Sequence, residues 1–98
     1  MQSHYVAAKG GIMGMNRTLA RELGGYGITV NLITPGLTVT PAAAAVFPES
    51  LLEMQRQLRS FHRDETPEDV SGPVFFLASA AAFVTGQTLN VDEGLYLL

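Results

Sequence analysis

Apolar and polar positions between residues 3 and 23 recur with a helical period. With Tyr5 as reference direction and about 3.6 residues per turn, Lys9, Ile12, Asn16, Leu19 and Leu23 fall on one side. Ala7, Gly10, Gly11, Gly14 and Thr18 fall on the other. This predicts a first helix from Ser3 to Leu23, closed by Gly24-Gly25-Tyr26-Gly27. Each interior glycine costs a helix about 1 kcal/mol against alanine. The small-residue face therefore predicts close approach by another helix, from a second subunit or from the same chain.

Ile28-Thr29-Val30-Asn31-Leu32-Ile33 is a β-branched run bounded by glycine and proline, and predicts a parallel strand. Thr34-Pro35-Gly36 ends it. Ligands of open α/β sheets bind beyond the carboxyl ends of strands, so a cofactor is expected at Pro35-Gly36, beside the plainer reading of an ordinary turn. Leu37 to Phe47 predicts a loop. From Pro48 to Phe61 the spacing of Leu51, Leu52, Met54, Leu58 and Phe61 predicts an amphipathic helix, either a lid over substrate or a surface helix. Thr66-Pro67-Glu68-Asp69 opens a last helix, with Thr66 as N-cap and the acids at the positive end of its dipole. Val70, Val74, Phe75, Leu77 and Ala78 are its expected buried face, and Gly72-Pro73 its expected kink. Thr85-Gly86 turns the chain into a second strand, Gln87 to Val91, followed by an apolar end at Leu95 to Leu98. About three helices and two strands make this an α/β chain.

The 98 residues fit one small domain, and 47% hydrophobic residues imply a core rather than a disordered segment. The net charge is −3, and the basic cluster Arg56, Arg59, Arg63 sits among Glu53, Asp64 and Glu65, which is no nucleic-acid footprint. Cysteine is absent, which rules out disulfides and thiolate metal sites. His4 and His62 are far apart, with no acidic ligand at metal spacing, so no metal site is expected. No apolar run is long enough to span a bilayer and the N-terminus lacks a signal-peptide pattern. A soluble, cytoplasmic protein with no membrane partner is the expectation.

Tyr5 and Lys9 stand four apart on the first helix, one above the other. An ammonium beside a phenol favours the phenolate. A phenol tuned in this way can protonate a carbonyl oxygen or deprotonate an alcohol. The pair alone recurs by chance in many helices, where it is a half-buried ring beside a solvated charge.

The ordered set is more specific. It comprises Tyr5-x-x-x-Lys9, Asn31-x-x-x-Pro35-Gly36, Thr40, Pro67-Glu68-Asp69-Val70, Phe76-Leu77-Ala78-Ser79, Thr85-Gly86-Gln87 and Val91-Asp92-x-Gly94. Over nearly its whole length the chain resembles the C-terminal half of the short-chain dehydrogenase/reductases, most of all the group containing 3-oxoacyl-carrier-protein reductases. The resemblance implies the C-terminal part of a Rossmann-like, doubly wound parallel sheet, with 1–98 as a partial domain. It implies an oxidoreductase that uses NAD or NADP to move hydride between nicotinamide and a carbonyl or secondary alcohol. Tyr5 matches the catalytic acid/base. Lys9 matches the residue that tunes it and hydrogen-bonds the nicotinamide ribose. Pro35 and Gly36 match the turn beside the nicotinamide, Thr38 a backbone contact to the carboxamide, and Thr40 a hydroxyl that meets the cofactor. Residues 37–61 match the variable substrate loop and helix. The first helix, and the last strand with Gly94 to Leu98, match subunit contacts of a homo-oligomer.

The chain departs from the family pattern in two places. The family's glycine-rich phosphate turn, its cofactor-selecting residue, its helix asparagine and its catalytic serine precede the tyrosine, and here only four residues do. Glu93 stands where the family usually has glycine. Two strands with uncovered edges and faces carry a drive to associate. Two expectations follow: an oxidoreductase whose 98 residues alone have little or no turnover, or a non-catalytic truncated product that assembles as an α/β fragment.

Overall fold

The computed structural model describes residues 2–95. Met1 and the predicted subunit contact at Tyr96, Leu97 and Leu98 lie outside the described residues. The elements run α1 (Ser3–Gly24), β1 (Leu32–Pro35), α2 (Pro41–Val46), α3 (Glu49–Leu58), α4 (Pro67–Ser79) and β2 (Thr88–Val91). The two strands pair in parallel, with Leu32 opposite Thr88 and Pro35 opposite Val91. Parallel strands need a long crossover, which α2, α3 and α4 provide. The α/β class and the parallel pairing agree with the sequence reading.

α1 ends where the sequence predicts, because Gly27 takes a left-handed φ of +73° that a side chain would resist. The Tyr26 and Ile28 amides then donate to the Leu23 carbonyl at 3.0 and 3.3 Å and close the last turn.

The first strand begins later than predicted, at Leu32 instead of Ile28. The segment beside its first half is a turn, with Gly86 at φ +70°, and a turn offers no regular ladder. Side chains fill in. Val30 N–H donates to Thr85 Oγ1 at 3.0 Å, Asn31 Nδ2 donates to Val84 O at 2.8 Å, and Gln87 N–H donates to Asn31 Oδ1 at 3.1 Å. Asn31 thus holds both polar ends of its amide against the turn that leads into β2.

Four helices are present among the described residues, where the sequence reading expected about three. The additional one, α2, lies in the predicted loop. Thr40 is its N-cap, with Oγ1 accepting the Ala43 amide at 3.1 Å, and Pro41 takes the first helical position. The alanines that follow are the best helix formers.

α4 opens on the predicted cap. The Thr66 amide donates to Asp69 Oδ2 at 2.8 Å, the side-chain half of a capping box. The helix continues through Gly72 and Pro73 to Ser79. Its expected buried face is a correction: Val74 and Phe75 are exposed and Val70 and Leu77 only half-buried. Ala20, Leu52 and Ala81 are the buried apolar residues among those described. The radius of gyration is 15.5 Å. A compact domain of this length has about 12.6 Å. The first half of α1 accounts for part of the difference, since residues 3–15 are exposed along their whole length. No helix among the described residues is long and apolar enough to cross a membrane.

Candidate active site

Asn16 and Ala20, the buried residues of α1, fix the helix against the turn that leads into β2. Asn16 Nδ2 donates to Gln87 O at 3.3 Å, where the chain enters β2. Two turns towards the N-terminus, α1 leaves the sheet surface and opens a cleft of about 420 Å³. One wall carries Tyr5, Lys9, Ile12 and Met13, and the other is β1 with its terminal Pro35 and Gly36. Lys9 Nζ lies over the Tyr5 ring, 5.3 Å from its centroid, within the range of a cation–π contact.

Four of the six predicted site residues, Tyr5, Lys9, Pro35 and Gly36, therefore share this cleft. Thr38 and Thr40 line a separate, open groove between the β1 turn and α4, together with Val70, Val74 and Phe75, and Pro35 borders both spaces. Thr38 Oγ1 donates to Gly36 O at 3.3 Å. Thr40 Oγ1, which caps α2 as an acceptor, keeps its own hydroxyl hydrogen to donate.

The cleft turn rests on polar groups that sequence reasoning missed. A Cβ on Gly36 would lie 2.6 Å from Glu65 Oε2 and 3.2 Å from the Asp92 Cβ, so a side chain there would have to displace the buried Glu65 carboxylate. Arg59 Nη2 lies 3.5 Å from Glu65 Oε2, and both side chains are 1% exposed. Burial pushes the Glu65 carboxyl above its ordinary value, against the pull of Arg59 and the Gly36 backbone. No periodicity marks these two residues: in the sequence they belong to an ordinary cluster of mixed charges.

Arg63, from the same cluster, is a second anchor. It pairs with Asp69 at 2.7 Å and with Glu93 at 2.8 Å, and so joins the start of α4 to the turn after β2. Arg63, with help from the Thr66 amide, holds the Asp69 carboxyl well below the usual carboxylate range. Glu93 has φ +56°, the left-handed region that favours glycine. The turn after β2 thus places a glutamate in a backbone conformation that glycine adopts more readily.

Comparison with known proteins agrees with this architecture. Residues 1–96 match the family model described as enoyl-(acyl carrier protein) reductase. The chain is 41% identical over 98 residues to a 3-oxoacyl-[acyl-carrier-protein] reductase of Synechocystis, covering 98% of this chain and 38% of that protein. It is 40% identical over 99 residues to the FabG 3-oxoacyl-[acyl-carrier-protein] reductase of Staphylococcus aureus, again with 98% of this chain and 39% of the relative covered. The crystal structure of a 3-oxoacyl-[acyl-carrier protein] reductase from Brucella melitensis superimposes with a TM-score of 0.88 at 41% identity, over 98% of this chain and 36% of that one. The chain belongs to the short-chain dehydrogenase/reductases, a family of oxidoreductases with a Rossmann fold. It spans less than two fifths of the length of these relatives.

Proposed function

We propose that the chain carries the acid/base end of an NAD(P)(H)-dependent oxidoreductase acting on a small carbonyl or secondary alcohol. The observation that supports this reading is the shared cleft. The stacked Tyr5 and Lys9 face the Pro35-Gly36 turn at the carboxyl end of a parallel strand.

The donor set suits the nicotinamide end of such a cofactor. Lys9 offers an ammonium to ribose hydroxyls, Pro35 and Ile12 offer apolar surface to a flat ring, and the backbone near Thr38 offers amide groups to a carboxamide. When bound, the nicotinamide supplies or receives the hydride. Tyr5 Oη gives a proton to the carbonyl oxygen in reduction and takes one from the alcohol in oxidation. The charge on Lys9 balances the negative charge left on Tyr5. Thr40 can donate its hydroxyl hydrogen towards the cofactor.

A second reading, a non-catalytic unit that assembles with copies of itself, draws on the glycine face of α1. A Cβ at Gly10, Gly11 or Gly14 would meet nothing within 4 Å. This favours a subunit contact over the same-chain helix contact that the sequence left open. The two readings are compatible, since a homo-oligomer through α1 and the last strand can also bind cofactor.

Calorimetric titration of the 98-residue chain with NADH and then NADPH tests the proposal. Saturable heat that is lost in Lys9→Met supports it. Absence of heat from a folded, self-associating sample favours the second reading.

A further inference from the structure

Arg59 follows α3 at a point where the backbone is extended, with φ −79° and ψ 154°, and its side chain turns inward. Arg59 and Glu65 are 2% and 1% exposed, the largest fully buried side chains among the described residues. Burying two ions is costly, and apolar residues of similar volume would often serve stability as well or better. Such a pair can instead serve to fix one geometry.

The geometry in question is the backbone after β1. Arg59 Nη2 donates to Leu37 O at 2.8 Å, and Nη1 donates to Arg63 O at 3.0 Å. Glu65 Oε2 packs beneath Gly36, at the point where a Cβ would come within 2.6 Å. The Val39 amide donates to the Glu65 carbonyl oxygen at 2.7 Å. Leu37 is thus held by the Arg59 side chain, Val39 by the Glu65 backbone, and Gly36, whose own amide donates to Val91 O at 3.0 Å, abuts the Glu65 carboxylate; neither member of the pair lines the cleft. The guanidinium fork suits this task because its donors lie in one fixed plane and reach two carbonyls at once.

We infer that Arg59 and Glu65 are positioning residues. Their buried pair fixes the Gly36–Val39 backbone opposite Tyr5 and Lys9, and ties that turn to the segment following α3. The functional meaning of this clamp rests on the oxidoreductase reading above, whereas its mechanical action does not. A substrate that moved α3 would therefore move the nicotinamide side of the cleft with it.

Residue-resolved amide exchange on the full chain tests the clamp through Arg59→Met, Glu65→Gln and Arg59→Lys. Local opening predicts that Arg59→Met and Glu65→Gln speed exchange at Gly36 and Val39 by about tenfold or more, while α1 amides from Asn16 to Leu23 change by less than about twofold. Arg59→Lys keeps the charge but has a single donor nitrogen in place of the fork, and restores part of the protection. The near-isosteric Glu65→Gln keeps the test decisive if Arg59→Met fails to fold. A uniform acceleration across α1 and the turn would show a merely structural role and overturn the inference, as would unchanged exchange at Gly36 and Val39. Failure of the oxidoreductase reading shows up separately, as absence of nicotinamide binding by the unaltered chain.

Discussion

Lys9 Nζ stands 5.3 Å from the centre of the Tyr5 ring, one helical turn further along α1. An exposed cation–π contact of this kind contributes about 0.5–1 kcal/mol at most. Lys9→Gln is therefore expected to change the denaturation midpoint little while abolishing saturable NADPH binding. Urea denaturation and calorimetry on the same sample check both halves. A large loss of stability with binding intact would make the pair a structural device.

Turnover by the 98 residues alone is expected to be small or absent. Among the described residues, Thr34 is the only polar side chain on the cleft wall facing Tyr5. Removing a single donor that stabilises developing charge typically costs about 100- to 1,000-fold in rate. Measurable NADH- or NADPH-dependent reduction of a ketone by pure chain would contradict this expectation.

Gly36 and Gly14 should respond to alanine in opposite directions. At Gly36 the added Cβ meets Glu65 Oε2 at 2.6 Å, so Gly36→Ala destabilises by about 1–3 kcal/mol. At Gly14 nothing lies within 4 Å, so Gly14→Ala stabilises the single chain by about 0.5–1 kcal/mol through better helix propensity. If the glycine face is the subunit contact, Gly14→Ala also weakens self-association. Denaturation curves at several protein concentrations separate the two effects.

Acid should loosen the joint between α4 and the turn after β2. Asp69 is held well below its ordinary value by Arg63 and by the Thr66 amide. A depressed carboxyl adds stability that is complete above its unfolded value, near 4. That stability is lost as pH falls towards the folded value. Glu65, raised by burial, acts in the opposite sense: it loses stability as pH rises from its ordinary value towards its folded one. Asp69→Asn should flatten the loss of stability below about pH 4, and Glu65→Gln should leave that loss in place. Thermal unfolding from pH 2 to 7 reads both; an unchanged acid limb in Asp69→Asn would contradict the assignment.

The long, periodic elements were legible in the sequence. α1 ends within one residue of its predicted limit because glycine punctuation and apolar spacing agree there. The cap of α4 was legible because Thr66, Pro67 and Asp69 act on their own neighbours. β1 was misjudged at its start because a strand needs a partner, and the partner beside Val30 is the Gly86 turn. α2 was missed because a short alanine run carries no amphipathic pattern. The Tyr5–Lys9 pair was visible as a motif, since one helix fixes both residues. The Arg59–Glu65 pair was not, because Arg59 bonds backbone carbonyls, one of them Leu37 O far along the chain, and Glu65 packs against Gly36. The exposed Val74 and Phe75 show a further limit: an apolar face predicts that something covers it, without saying what.

The most direct test of the cleft as a nicotinamide site is a titration of isotope-labelled chain with NADPH, followed by amide shifts residue by residue. A nicotinamide site in this cleft gives saturable shifts at Lys9, Ile12, Gly36 and Thr38, with those of α3 from Glu53 to Gln57 unmoved. Saturable shifts centred elsewhere, or none from a folded sample, would contradict it.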